Sequence, residues 1–215
     1  MTPVDPVAVG ERAAAVRARL DAAGGGDVRI VAVTKTFGPS AVDAAVAAGL
    51  DDVGENYAQE AAAKLTEITT APTVHFIGRL QRNKVRLLAP HVHVWQTVDR
   101  LELATEIAKR APGAKVMIQV DISGEESKGG CDPALAEDLV IHATDAGLDV
   151  VGLMGIALLA EPEAARPGFS LLRGLVDRLH LAECSMGMSA DLEIAVDEGA
   201  TMVRIGRDLF GERLG

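Results

Sequence analysis

Apolar segments typical of strands alternate with segments typical of helices along almost the whole chain. Strands are predicted near residues 28–35, 52–55, 73–78, 92–98, 114–122, 149–157, 182–187 and 201–205. Helices are predicted near residues 7–23, 39–48, 57–68, 81–89, 100–110, 133–146, 166–179 and 190–198. Parallel strands joined by helices form either an open doubly wound sheet or a closed (β/α)8 TIM barrel. The count of eight strands favours the barrel, an α/β fold, here with an extra N-terminal helix.

The composition restricts the class of protein further. The 215 residues are 48% hydrophobic, and no linker or charge block divides them, so we expect a single domain over residues 1–215. A net charge of -10 argues against binding to nucleic acid or to an anionic membrane. Only Cys131 and Cys184 are present, which gives neither a disulfide framework nor zinc-ligand spacing. With no signal peptide and no run of transmembrane length recognised, we expect a cytoplasmic protein.

The first predicted strand, Val28–Lys35, is apolar until it ends in a lysine. One interpretation is that Lys35 only ends the strand and extends its ammonium group into water. The other is that Lys35 is a desolvated, nucleophilic amine that forms a Schiff base with a carbonyl compound. The position of the lysine alone leaves both interpretations open.

Active sites of such barrels lie at the carboxyl ends of the strands, and phosphate often binds after strands seven and eight. Ser189 is expected at the N-terminus of the helix 190–198, where its hydroxyl and free backbone N–H groups can bind an anion. Gly187 allows close backbone approach, and the N–H groups of Gly206 and Arg207 can reach the same anion. Alternatively, Ser189 is only a helix N-cap.

Other polar residues at this end of the predicted barrel are less specific. Arg204 either faces the mouth, where it would keep a pyridine nitrogen unprotonated, or forms a structural salt bridge. Asn56 either hydrogen-bonds a ring substituent or belongs to the turn after strand two, and Glu55 is expected to pair with a basic residue of the mouth. His75 is predicted to be a core histidine with satisfied hydrogen bonds.

No metal site is predicted, because His91 and His93 lack a third ligand at suitable spacing.

Several short motifs in one order carry a family resemblance. They are Val31-Ala-Val-Thr-Lys35, Gly54-Glu-Asn-Tyr-Ala-Gln-Glu60, His75-Phe-Ile-Gly78, Thr97-Val-Asp-Arg100, Ser127-Lys-Gly129, Gly152-Leu-Met154, Ser185-Met-Gly-Met-Ser189 and Thr201-Met-Val-Arg-Ile-Gly206. With these motifs the chain resembles the YggS-like pyridoxal phosphate homeostasis proteins, also called proline-synthetase co-transcribed homologues. The motifs span nearly the whole chain, and together they are specific.

The resemblance implies a barrel like the N-terminal domain of alanine racemase, of fold type III among proteins that use pyridoxal 5′-phosphate (PLP, a form of vitamin B6). It implies PLP bound as an internal aldimine on Lys35, with Arg204 facing the ring nitrogen and Asn56 close to the cofactor. It further implies phosphate contacts from Ser189, Gly206 and the position of Arg207.

The implied role is to bind, buffer and deliver PLP, with PLP-requiring apo-enzymes as recipients and no robust turnover by the protein itself. Nothing in the sequence requires a dimer, so a monomer is expected. Arg207 stands where the family usually has a small hydroxyl residue, and whether it replaces the lost phosphate contact is left open. The alternatives are a small PLP-dependent racemase or aldolase with Lys35 as base, and an aldolase that uses Lys35 without a cofactor.

Overall fold

The computed structural model describes residues 3–125, 127–157 and 161–211, and these form a closed barrel of parallel strands. The strands are β1 (Arg29–Val33), β2 (Asp52–Glu55), β3 (Thr73–Phe76), β4 (Val94–Val98), β5 (Lys115–Val120), β6 (Asp149–Gly155), β7 (Glu183–Ser185) and β8 (Met202–Ile205). Each strand pairs with the next, and β8 pairs with β1, with Val31 opposite Arg204. The predicted TIM barrel is confirmed.

Helices follow the strands on the outside of the barrel. They are α1 (Pro6–Ala22), α2 (Pro39–Ala47), α3 (Ala58–Lys64), α4 (Val85–Leu88), α5 (Leu101–Arg110), α6 (Ala136–Asp145), α7 (Arg166–Arg178), α8 (Leu192–Asp197) and α9 (Arg207–Phe210). Short 3-10 turns over residues 82–84, 133–135 and 162–165 precede α4, α6 and α7. None of the helices that the structure describes is long and apolar enough to span a membrane.

The extra N-terminal helix α1 is also confirmed, and its first turn shows why it begins where it does. The carboxylate of Asp5 accepts a hydrogen bond from the backbone N–H of Val7 at 3.0 Å, and Pro6 occupies the first helical position. Both features are preferred at helix N-termini. The four-residue helix α9, which lies directly after β8, was not among the predicted helices.

The apolar core has two parts that differ in character. The larger part lies between the strands and the helices, and it includes the buried rings of Phe76, Trp95 and Phe169. The smaller part lies inside the barrel and consists of Val31, Val94, Met117, Met154 and Met202. Alternate strand residues face opposite sides of a sheet. Several of the other buried strand residues that face the interior have polar side chains.

Candidate functional site

A cavity of about 600 Å³ opens at the carboxyl ends of the strands. Its lining consists of Val33, Lys35, Phe37, Asn56, Ile77, Ile156, Met188, Ser189, Ala190, Arg204, Gly206, Arg207 and Gly211. The structure therefore brings together all six site residues that the sequence predicts. They come from the ends of β1, β2, β7 and β8, as expected for a site at this end of a barrel.

Lys35 lies two residues beyond β1, and its backbone neighbours are held by a buried ionic cluster. Behind the barrel wall, Lys64 of α3 donates to the carbonyl oxygen of Thr34 at 2.7 Å and to the carboxylates of Glu55 at 2.7 Å and Glu60 at 2.9 Å. The hydroxyl of Thr34 also donates to Glu55 at 2.6 Å. Glu55 thus pairs with a lysine of α3 and not, as the sequence suggested, with a basic residue of the mouth.

The same cluster fixes the residue that follows Lys35. Thr36 has a φ of 69°, in the left-handed region that side chains with a branched Cβ rarely adopt. Its backbone N–H donates to Glu60 at 2.6 Å, which helps to hold this conformation. Burial raises the pKa of the Glu55 carboxyl, although the charge of Lys64 opposes the shift. The chain on both sides of Lys35 is therefore anchored by contacts outside the cavity.

Asn56 enters the cavity from the end of β2. A side chain at Gly78 would place its Cβ only 2.0 Å from the backbone oxygen of Asn56, so glycine is required where the chain passes this residue. The Oδ1 atom of Asn56 is buried and has no hydrogen-bond partner among the described residues. Buried polar atoms without a partner are rare in proteins, and one at a cavity indicates a ligand contact.

Ser189 lies in the turn between β7 and α8, but it is not a helix cap. The helix begins at Leu192 and its N-cap position is Asp191, whose carboxylate accepts the backbone N–H of Met188 at 2.6 Å. The prediction that Ser189 stands at the helix N-terminus is therefore wrong by two residues. Within the described residues, neither the Ser189 hydroxyl nor the backbone N–H groups of Ser189 and Ala190 has a hydrogen-bond partner. These donors lie at the cavity, where they can bind an anion.

Gly187 shapes this turn, since its φ of 91° and its contact with α8 both require glycine. A Cβ there would lie 2.5 Å from the Cβ of Ala195. On the other side of the turn, Arg19 of α1 donates to the carbonyl oxygen of Ser189 at 2.9 Å and to Glu193 and Asp208 at 2.8 Å. Sequence reasoning missed Arg19, because nothing near it in the chain marks a contact with residues so far away.

Gly206 and Arg207 close the cavity on the β8 side. Gly206 is the N-cap residue of α9, and Arg207 is the first residue of that helix, exposed at the rim. The backbone of this short helix and the exposed guanidinium therefore border the same space as Ser189.

Arg204 faces the interior of the barrel, which decides between its two predicted orientations. Its side chain is 5% exposed and donates to the hydroxyl of Ser185 at 2.8 Å and to the carbonyl oxygen of Gly155 at 2.7 Å. Within the described residues it forms no salt bridge, so that alternative is wrong. Burial lowers the pKa of the Arg204 guanidinium to about 10, and the nearby charge of Asp191 opposes the shift. The guanidinium therefore remains charged at neutral pH.

Other residues singled out in the sequence are structural. His75 is fully buried and hydrogen-bonded on both ring nitrogens, to Asp52 and Gln96, as predicted for a core histidine. Burial raises the pKa of Cys131 to about 11 and that of Cys184 to about 12, which leaves both thiols unreactive at neutral pH. Among the described residues, no three side chains of His, Cys, Asp or Glu are grouped to hold a metal ion.

The residues of the cavity fit PLP in three respects. Lys35 supplies an amine for the aldehyde, Ser189 and its neighbour supply donors for a phosphate, and Asn56 has a buried polar atom without a partner. The lining also carries three basic side chains, Lys35, Arg204 and Arg207, in a chain of net charge -10. A compact anion with a reactive carbonyl matches this combination.

Comparisons with known proteins identify the family of this chain. Residues 4–214 match the family model of the alanine racemase N-terminal domain. The pyridoxal phosphate homeostasis protein of Pseudomonas aeruginosa is 44% identical, over 94% of this chain and 92% of the relative. The human protein of the same name is 38% identical, over 86% of this chain and 76% of the relative.

Solved structures show the same fold. PipY of Synechococcus elongatus, solved with PLP bound, matches with a TM-score of 0.85 and 33% identity, over 94% of this chain and 100% of PipY. An alanine racemase of Clostridium difficile matches with a TM-score of 0.74 and 18% identity, over 93% of this chain and 57% of the racemase, and so shares the fold. The chain belongs to the alanine racemase N-terminal domain family and, within it, to the pyridoxal phosphate homeostasis proteins.

Proposed function

We propose that this chain binds PLP through a Schiff base on Lys35 and acts in PLP homeostasis, where it buffers the cofactor and delivers it to PLP-requiring apo-enzymes in the cytoplasm. The observation that carries the proposal is one cavity lined by Lys35, by unpartnered donors at Ser189 and by Asn56 with its buried, unpartnered oxygen. The relatives named as PLP homeostasis proteins and the PLP-bound structure of PipY support it.

In this proposal each predicted residue has a distinct contact with the cofactor. Ser189, Gly206 and the backbone N–H of Arg207 hold the phosphate, and the exposed Arg207 guanidinium adds positive charge at the rim. Arg204 faces the ring nitrogen, and Asn56 contacts a ring substituent. When bound, PLP supplies an aldehyde that condenses with amines and a ring that accepts negative charge. Arg204 stays charged and can only donate hydrogen bonds, so it keeps the ring nitrogen unprotonated. An unprotonated ring accepts less negative charge.

The lining of the cavity also supports a carrier without robust turnover. Besides Lys35, Arg204 and Arg207, none of the described lining residues carries an ionisable side chain, since His, Cys, Tyr, Asp and Glu are all missing from it. Tyr57 is 51% exposed and does not line the cavity. A racemase needs an acid–base group on each face of its substrate. All six contact residues belong to one chain, so a monomer suffices for binding.

The first test is optical and uses a matched lysine control. The purified protein is incubated with PLP, treated with borohydride to reduce any Schiff base, and the modified residue is located by mass spectrometry. We expect visible absorption and modification at Lys35, both lost in Lys35→Ala. Lys115 lines the cavity at the opposite end of the barrel, so Lys115→Ala should behave as the wild type. A wild-type protein that takes up no PLP would overturn the proposal.

A second test separates the carrier from the small PLP-dependent racemase or aldolase. The PLP-loaded protein is incubated with L- and D-amino acids, and the products are resolved by chiral chromatography. We expect no turnover in the range of ordinary enzymes, which is about 1 s⁻¹ or faster. Turnover at such a rate, lost in Lys35→Ala, would replace the carrier by an enzyme.

A further inference from the structure

Four hydrogen bonds join Arg204 to Asp52 through the inside of the barrel. Arg204 Nη1 lies 2.8 Å from Ser185 Oγ, and Ser185 Oγ lies 2.7 Å from Gln96 Oε1. Gln96 Nε2 lies 2.8 Å from His75 Nδ1, and His75 Nε2 lies 2.8 Å from Asp52 Oδ1. We call these five residues the interior chain.

The interior chain runs between the two ends of the barrel. Arg204 lines the cavity at the carboxyl ends of the strands, whereas His75 and Asp52 line a second cavity at the amino ends. Gln96 makes the crossing, because it belongs to β4 but contacts Ser185 of β7. The side chains of His75, Gln96 and Ser185 are fully buried, so water does not compete for their hydrogen bonds.

The chemistry of the groups fixes the direction of every bond. A guanidinium only donates, so Ser185 Oγ accepts from Arg204, and its own hydroxyl proton goes to the Oε1 atom of Gln96. The amide nitrogen of Gln96 then donates to Nδ1 of His75, which must be unprotonated. The remaining ring proton lies on Nε2 and goes to the carboxylate of Asp52. All four bonds thus point from the cation to the anion.

The amide of Gln96 has only one orientation that satisfies its neighbours. As placed, its nitrogen donates both to His75 and to the sulfur of Met202, at 3.1 Å. If the amide were turned over, its nitrogen would face Ser185 Oγ, and the hydroxyl proton of Ser185 would lose its acceptor. Buried donors without an acceptor are unfavourable, so the order of the chain is set by the whole set of bonds.

We infer that Ser185, Gln96 and His75 are positioning residues that hold the guanidinium of Arg204 towards the cofactor through the interior chain, with Asp52 as its anionic end. The inference rests on the proposed function, since it concerns the orientation of a group that meets PLP. It extends the site to three residues that do not line the PLP cavity. It also makes the orientation of Arg204 depend on a carboxylate at the other end of the barrel.

The first experiment uses the protein without PLP. It tests whether a substitution at Ser185 changes the protonation of His75, which Ser185 does not touch. The imidazole nitrogen shifts of His75 are measured by NMR in the wild type, Ser185→Ala and a packing control, Met117→Leu. Met117 is fully buried inside the barrel but forms no hydrogen bond with the five residues of the interior chain. We expect the Nε2–H tautomer in the wild type and the control. In Ser185→Ala, which does not touch His75, the amide of Gln96 is free to turn its oxygen towards Nδ1. The shifts should then show a proton on Nδ1 in part of the molecules, while Nε2 keeps the proton that it donates to Asp52.

A further variant tests the opposite direction, from Gln96 to Arg204. Gln96→Met keeps the volume of the side chain but removes the acceptor of Ser185. Exchange of the Arg204 side-chain N–H protons with solvent should become about tenfold faster, the effect of one lost hydrogen bond. If Gln96→Met does not fold, Ser185→Ala still decides, because it removes a single hydroxyl group. A wild-type tautomer at His75 in Ser185→Ala overturns the inference.

The second experiment uses the PLP-loaded protein. Hydrogen bonds at the ring nitrogen tune the electronic state of bound PLP, so its absorption maximum should move in the same direction in Ser185→Ala as in Arg204→Gln. A maximum that stays at the wild-type position in Ser185→Ala overturns the inference and leaves the proposed function intact. A wild-type protein that binds no PLP overturns the proposed function, and the NMR measurement still decides whether the interior chain forms.

Discussion

The two ends of the barrel hold cavities of similar size but opposite character. The cavity at the carboxyl ends measures about 600 Å³, and the cavity at the amino ends about 560 Å³. Both are lined by charged side chains. At the amino end three of the charged side chains have partners, since Arg29 pairs with Glu183 at 2.6 Å and Asp52 accepts from His75 at 2.8 Å.

At the carboxyl end the polar groups are left for something else. Asn56 has a buried oxygen without a partner, and the donors of Ser189 and Ala190 are unpaired within the described residues. None of the buried, unpartnered side-chain atoms found in the described ranges belongs to a residue that lines the amino-end cavity. Volume and charge do not distinguish a binding site from structural packing here, whereas unsatisfied hydrogen bonds do.

The largest effect is expected from Lys64→Met, which breaks the cluster behind the Lys35 end of β1. The variant leaves Glu55 buried without its cation, and breaking a buried ion pair in this way costs about 3–5 kcal/mol. Chemical denaturation followed by circular dichroism measures the free energy of unfolding. PLP retention should fall as well, because the backbone of Thr34 loses its lysine contact.

Two further variants show whether the charge or the packing is responsible. Adding Glu55→Gln to Lys64→Met should restore part of the stability, since no uncompensated charge then remains buried. Arg173→Gln removes a surface pair with Asp177 on one helix and should cost about 0.5 kcal/mol or less. Equal losses in Lys64→Met and Arg173→Gln would show that the cluster does not support the site.

A smaller effect, confined to the ligand, is expected from Ser189→Ala. The variant removes one hydrogen bond to a phosphate, and PLP should dissociate about tenfold more readily, as for the loss of about 1.4 kcal/mol. Equilibrium dialysis of PLP measures the change. The thermal midpoint of the protein without PLP should stay at the wild-type value, since the hydroxyl has no partner among the described residues.

The matched variant at the other end is Glu183→Gln. It weakens the ion pair with Arg29 and should lower the thermal midpoint, while PLP retention stays as in the wild type. If instead Glu183→Gln releases PLP and Ser189→Ala does not, the assignment of the two ends is reversed.

The smallest effect is a dependence on pH at the amino end. Burial alone would raise the pKa of the Asp52 carboxyl, but the hydrogen bond from His75 and the charge of Arg29 outweigh it and hold that pKa below its usual value of 3.8. A lowered carboxyl pKa stabilises the folded state above the usual value, and this contribution is lost as the pH falls through the folded-state pKa. Asp52→Asn lacks it, so its deficit in unfolding free energy should be widest at neutral pH and should close below pH 3.8. A deficit independent of pH would show that Asp52 contributes only through its shape.

The strands and the position of the site can be predicted from local sequence patterns. The contacts that hold the site residues in place cannot. Alternating apolar segments locate all eight strands, and the rule for strand ends brings Lys35, Ser189 and Arg204 to one mouth. Ser189 lies before the helix because Asp191, another residue type preferred as an N-cap, takes that position two residues later. Lys64 carried a weak signal, four residues after Glu60 on a predicted helix.

Nothing in the sequence indicated the contact between Gln96 and Ser185, although Ser185 begins one of the family motifs. Each is an uncharged polar residue in a short strand, and their hydrogen bond joins positions 89 residues apart. The pattern of a strand shows which of its residues share a face, but not which residue of another strand lies opposite across the barrel. Such contacts exist only after closure of the sheet.

The pairing of β8 with β1 gives the barrel a seam between its last strand and its first. Lys35 follows one side of that seam, and Arg204 and Gly206 lie on the other, so neither side forms the cavity before the chain has closed on itself. A ligand bound to both sides joins the two ends of the polypeptide, and by mass action it favours the closed form. If PLP binds as proposed, it contacts both sides of the seam, and its uptake during refolding would then report the closure of the barrel.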